Sequence, residues 1–145
     1  MTDNRIVVGV DGSPAAAAAL AWAVDEARLR GAGLEVVLTW EPAYAGYLHM
    51  PPLEGLEEAA QASVEKIVAD LELSATRDPP ATAVAVEGAS AAVLIERSED
   101  ADLLVVGSRG LGGFSGMLLG SVSQHCVTHA RCPVVVIRQP EAAAT

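Results

Sequence analysis

Five short apolar runs constrain this chain most: Arg5 to Val10, Leu34 to Trp40, Ala81 to Glu87, Asp102 to Gly107 and Pro133 to Arg138. They are rich in β-branched residues and mostly lack polar/apolar alternation, the pattern of strands buried on both faces. Helical spacing fills the gaps between them. Leu53, Leu56, Ala60, Val64, Ile67 and Leu71 recur in steps of three and four, one apolar face of a helix. Ser13-Pro14 opens an alanine-rich helix that ends near Gly31 and Gly33, and further helices are expected over about Ala89 to Glu99 and Ser121 to Ala130. Strands alternating with helices give an α/β chain with one open five-stranded parallel sheet, right-handed crossovers and helices on both faces. At 145 residues, 51% apolar, the chain suits one domain, expected over 1–138, with 139–145 as a frayed tail.

The richest loop follows the fourth run: Gly107-Ser108-Arg109-Gly110-Leu111-Gly112-Gly113, continuing to Gly120-Ser121-Val122-Ser123. Its glycines let the backbone approach a ligand with no Cβ in the way. The helix starting at Ser121 adds free N–H groups and a positive dipole end, so an anion, phosphate above all, is the natural guest. Three competing motifs fail. A P-loop needs a lysine in the loop, and Lys66 is the chain's only one. The dinucleotide fingerprint belongs after the first strand, where Gly9-Val10-Asp11-Gly12-Ser13 has the wrong spacing, and Gly113-Phe114-Ser115-Gly116 places its second glycine one residue early for a nucleophile elbow.

The pattern that does match is G-x2-G-x9-G-[ST], filled by Gly107, Gly110, Gly120 and Ser121. With Asp-Gly-Ser after the first strand and Gly88-Ala89-Ser90 after the third, the chain resembles the universal stress protein family, ATP-binding subtype, over nearly its whole length. The resemblance implies a Rossmann-like sheet of order 3-2-1-4-5 and binding of ATP, with Mg²⁺, by a regulatory stress-response protein that hydrolyses it slowly at most. It implies that Gly107, Ser108, Gly110, Gly120, Ser121, Val122 and Ser123 hold the triphosphate and part of the ribose, with Arg109 to Gly113 wrapping the phosphates. Gly9, Val10 and Asp11 would line the nucleotide, Asp11 near the sugar and any phosphate-bound Mg²⁺, and Trp40 would meet the adenine where the family often has a small aliphatic residue. AMP or cyclic AMP would suit the same pocket. An adenylate-forming or ATP-hydrolysing enzyme of the adenine-nucleotide α-hydrolase type is a further alternative, although it would need a substrate domain for which 145 residues leave no room.

Other readings compete at single residues. Asp11 also suits a cap of the first helix, and Trp40 also suits the core. Tyr44 and Tyr47, in the long loop of residues 41–52 with His49, either close over the base or pack the loop. His125 and His129 have the i,i+4 spacing of a metal face but no third ligand in the motif, so no metal is expected from protein side chains alone. Ser121, Ser123 and His125 invite a hydrolase reading, yet serines in a first helical turn more often cap or meet phosphate. Arg109, the sole basic side chain within the glycine loop, is read as a phosphate contact.

A net charge of −10 opposes nucleic acid as a partner. Neither a cationic leader nor an apolar run of membrane length is present, so a soluble, cytoplasmic protein is expected, with Cys126 and Cys132 as reduced packing thiols. The last run, β-branched and in the implied order at the sheet edge, is expected to pair with its copy in a homodimer.

Overall fold

The computed structural model describes residues 4–42, 55–110 and 119–139. Its elements follow in the order β1 (Arg5–Val10), α1 (Pro14–Arg30), β2 (Gly33–Trp40), α2 (Leu56–Asp70), β3 (Ala81–Glu87), α3 (Ser90–Arg97), β4 (Leu103–Gly107), α4 (Ser121–His129) and β5 (Val134–Ile137). All strand pairs are parallel, in the order β3-β2-β1-β4-β5. This is the expected Rossmann-like α/β sheet, and each strand lies within a residue of its apolar run.

Two apolar layers sandwich the sheet. On one face α1 and α2 cover Ile6, Val8, Leu34, Val36 and Val105, while on the other α3 and α4 cover Val7, Val37, Leu104 and Val106. Alanines at 15, 16, 19, 23 and 27 form much of α1's buried side, so this helix lies close to the strands. The approach is tight enough that a Cβ on Gly107 would stand 2.7 Å from the Ala15 carbonyl carbon. Ser13 caps α1 by accepting from the Ala16 N–H, and Gly31 closes it in the left-handed region at φ 64°. In α2 the buried stripe is Ala60, Val64 and Val68 rather than a face running on to Leu71, which is 47% exposed. Leu71 is the C-cap, where the chain leaves the helix and turns the side chain away from the sheet.

Cys126 is buried against the second layer and Cys132 packs beside it, both as free thiols. Burial, and then the neighbouring Cys132 thiol, pushes the Cys126 thiol up to about 11, so at neutral pH it behaves as an apolar side chain.

The two sheet edges differ. Along β3, outward-facing backbone is covered from within: Ala81 N–H donates to the Ser74 carbonyl at 2.9 Å, and the Gln61 amide takes the place of a neighbouring strand. Its Nε2 donates to the Ala83 carbonyl at 3.1 Å and its Oε1 accepts from Ala85 N–H at 2.9 Å. At β5 the carbonyls of Pro133 and Ile137 accept from β4 and the residue after it. Alternation along the strand then turns the N–H and C=O groups of Val134 and Val136 outward.

Candidate functional site

A cavity of about 460 Å³ opens at the C-terminal ends of β1, β2 and β4, between α3 and α4. Such strand ends, where the chain order reverses, are where open α/β sheets hold ligands. Val37, Leu94 and Val106, nearly inaccessible to solvent, form its apolar lining. Polar groups surround them: Asp11 from the end of β1, Arg109 and Gly110 from the glycine loop, and Ser121 and Ser123 from α4.

The helix starts that meet here are built differently. At α1 the leading N–H groups are served by side chains, since Asp11 Oδ1 accepts from Ser13 N–H at 2.8 Å and Ser13 Oγ accepts from Ala16 N–H at 3.2 Å. Neither α3, which starts after Ala89, nor α4, which starts after Gly120, has a side-chain cap or an acidic residue in its first turn. Their first-turn serines line the cavity. Two positive dipole ends with unserved donors thus converge on one space, an arrangement that favours a bound anion.

The glycine loop is held by its own backbone. Ser108 is buried, donates its N–H to the Ile137 carbonyl at 2.8 Å and accepts at its carbonyl from Gly120 N–H at 2.6 Å. Ser123 Oγ lies in hydrogen-bond contact with that carbonyl and with the Gly120 carbonyl, at 3.1 and 3.0 Å. β4, β5 and the start of α4 are therefore tied at one residue. Gly110 passes so close to β1 that a Cβ there would stand 2.6 Å from Asp11 Oδ2. A side chain at 110 would have to displace that carboxylate from the rim.

Of the residues singled out in the sequence, Gly9, Val10, Asp11, Gly107, Arg109, Gly110, Gly120, Ser121, Val122 and Ser123 come together around the cavity. Ser108 stands behind it as the backbone tie. Leu111, Gly112 and Gly113, like Tyr44, Tyr47 and His49, lie outside the described residues. Trp40 does not line the cavity. Strand parity groups it with Val36 and Leu38, which belong to the α1/α2 layer, and its buried indole Nε1 has no hydrogen-bond partner among the described residues.

Thr39, one residue earlier, faces the cavity instead, and its hydroxyl is hydrogen-bonded to that of Ser90 at the start of α3. Sequence reasoning passed over both Thr39 and Val37. The available signal was parity: Gly9 of the neighbouring strand pairs with Val37, so the same-facing residue at the β2 end is 39 rather than 40.

His125 and His129 place their rings 6.1 Å apart, but His125 Nδ1 stands 3.0 Å from the Ser121 carbonyl oxygen, one turn back. Among the described residues no group of three or more potential ligands gathers around a metal-sized space.

A universal stress protein family model matches residues 4–138, and the chain belongs to that family. A universal stress protein of Mycobacterium tuberculosis is 37% identical over 142 residues, covering 94% of this chain and 48% of the relative. The chain therefore spans about half the length of that relative. Among solved structures, the universal stress protein of Archaeoglobus fulgidus in complex with dAMP has a TM-score of 0.65 at 22% identity, covering 94% of this chain and 99% of the other. A universal stress protein in complex with cAMP has a TM-score of 0.66 at 24% identity, covering 95% and 98%. At those identities the likeness is one of fold.

Proposed function

We propose that the cavity binds an adenine nucleotide, ATP with Mg²⁺, and that the protein acts in the cytoplasm as a stress-response regulator through its nucleotide state. The observation that carries this reading is the convergence of two helix starts without side-chain caps and the glycine loop over an apolar lining. Phosphate suits the donors and the positive ends, and a nucleoside suits the apolar walls. Gly107 to Gly113 and Gly120 to Ser123 hold the triphosphate in this reading, with Arg109 pairing one phosphate and Asp11 beside the sugar and the metal. The family membership and the dAMP and cAMP named for two structural relatives support the adenine class.

Hydrolysis is slow at most. Rapid phosphoryl transfer needs a base or water-orienting group together with charge stabilisation at the γ-phosphate, and among the described lining residues Arg109 is the only cation. Calorimetric titration with ATP, AMP and cyclic AMP, followed by mass measurement of ligand carried through purification, tests the assignment. Tight ATP binding that requires Mg²⁺ is the expected result; preference for AMP or cyclic AMP would make the protein a sensor of those nucleotides.

The open β5 edge is proposed to pair with its copy in a two-fold dimer, because outward backbone at Val134 and Val136 otherwise invites aggregation. Val136→Pro removes an outward N–H without touching the β4 ladder and is expected to give a monomer by light scattering. A monomeric parent protein would rule the dimer out.

A further inference from the structure

At the β2 side of the cavity the polar side chains among the described residues are the hydroxyl pair Thr39–Ser90, which stands at the uncapped start of α3. The two residues are 51 apart in sequence, one near the end of β2 and the other opening α3, and both are half-buried. We propose that this pair reads the base of the bound nucleotide by hydrogen-bonding the 6-amino group of adenine, and so sets the base preference of the cavity. The inference rests on the adenine-nucleotide reading above.

Placement comes from strand order. The glycine loop and α4 put the anion subsite at the end of β4, β1 lies next, and β2 follows. Two strand spacings, about 10 Å, separate β4 from β2, leaving room for the sugar at the β1 end and the base at β2. Val37 and Leu94 flank that position with apolar surface suited to a base's ring face.

Hydroxyl chemistry then identifies what the pair wants. Two hydroxyls hold two protons and four lone pairs, and their mutual bond consumes one of each. One O–H and three lone pairs remain beside the apolar side chains of Val37 and Leu94, where an unserved polar group is costly. Both of adenine's donor–acceptor edges, the 6-amino group with N1 and the 6-amino group with N7, include the 6-amino group and match a donor beside acceptors.

The pair is not needed to dock or cap α3. Val93 and Leu94 bury that helix, Arg97 fastens its far end to Glu35, and Ser90 makes no capping bond to the helix backbone.

The test is a cycle between protein and ligand. The parent, Thr39→Val, Ser90→Ala and the hydroxyl-retaining Thr39→Ser are titrated with Mg-ATP, with the triphosphate of purine riboside, which lacks the 6-amino group, and with inorganic tripolyphosphate. The parent is expected to prefer ATP over the purine analogue by about tenfold, the cost of leaving one such hydrogen bond unmade. Thr39→Val and Ser90→Ala should each close that gap, Thr39→Ser should keep it, and tripolyphosphate affinity should be the same in all four. A pair that merely tethers α3 would not alter the discrimination between the two nucleotides. If one variant fails to fold, as judged by its thermal melt, the other decides. A gap that survives removal of either hydroxyl, or no gap in the parent, overturns the assignment while nucleotide binding itself stands. A parent that binds neither nucleotide overturns both.

Discussion

The two ends of the sheet handle polar groups in opposite ways. Where β1 and β2 begin, charge meets charge inside the protein. Glu35 is only 12% exposed and receives Arg5 at 2.9 Å on one oxygen and Arg97 on the other. Arg5 also donates to the Arg97 carbonyl, and its backbone N–H donates to Asp102, both at 3.0 Å. The C-terminal end of α3 is thereby locked to the starts of three strands. At the opposite end α3 and α4 begin without side-chain caps, and their donors face the cavity. Polar groups satisfied within the chain fix the frame, and those left unserved gather at the candidate site.

The largest effect should come from Gly110→Val at the cavity end. A Cβ there already collides with the Asp11 carboxylate, and valine's methyl groups would extend into the rim that the loop shares with it. ATP affinity should fall on the order of a hundredfold or more, about 2.8 kcal/mol, while circular dichroism and the melting temperature stay near those of the parent because the loop lies outside the helices and strands. ATP binding like the parent's would mean that the glycine loop is not the phosphate site. The same substitution lowering stability as much as affinity would erase the contrast between the two ends.

Glu35→Ala should do the reverse, and somewhat less. Removing the shared carboxylate leaves two guanidinium groups facing each other. For fully buried pairs the cost is roughly 3–5 kcal/mol. The Arg5 and Arg97 side chains are 32% and 37% exposed, so solvent screening brings the expected loss to about 2 kcal/mol. Chemical denaturation measures it, and nucleotide affinity should be unchanged. A fall in ATP affinity beyond about threefold would show that the frame and the site are coupled through α3.

How much of this was legible in the sequence follows from the range of each signal. Val7-Val8, Val36-Val37 and Leu103 to Val106 are buried from both faces, so their apolar runs declared themselves without any partner being known. Ser13-Pro14 and Gly31 marked the ends of α1 because caps are local chemistry. The glycines of the site were legible for a related reason, since a missing side chain at fixed intervals is itself a signal.

The Thr39–Ser90 pairing carried no such local signal, because the two hydroxyls meet only once β2 and α3 are assembled, and the parity that turns Thr39 to the cavity needs the β1–β2 register. Trp40 drew attention as a large aromatic at a strand end, but it is Thr39, one residue earlier, that lines the cavity. The Glu35 cluster and the Gln61 cover over β3 were invisible too, since each joins residues brought together by the sheet.

Asp11 sits on the boundary of the contrast, because one of its oxygens serves the frame and the other faces the site. Oδ1 accepts from Ser13 N–H, which helps to shape the turn into α1, but the cap proper belongs to Ser13 Oγ, and that bond survives without Asp11. Loss of that Ser13 contact in Asp11→Ala should cost about 1 kcal/mol of stability. Oδ2 points toward Gly110 at the cavity rim, where a carboxylate is repelled by a bare triphosphate and attracted by Mg²⁺. The sign of the binding effect should then depend on the metal. Mg-ATP should bind about tenfold more weakly to the variant, roughly 1.4 kcal/mol. ATP in the presence of a chelator should bind as well as to the parent or better, because a negative charge beside the phosphates has gone. Paired calorimetric titrations with and without Mg²⁺ read both numbers. Equal Mg-ATP affinity together with a marked fall in melting temperature would place Asp11 wholly in the frame, and the boundary would move out to the glycine loop.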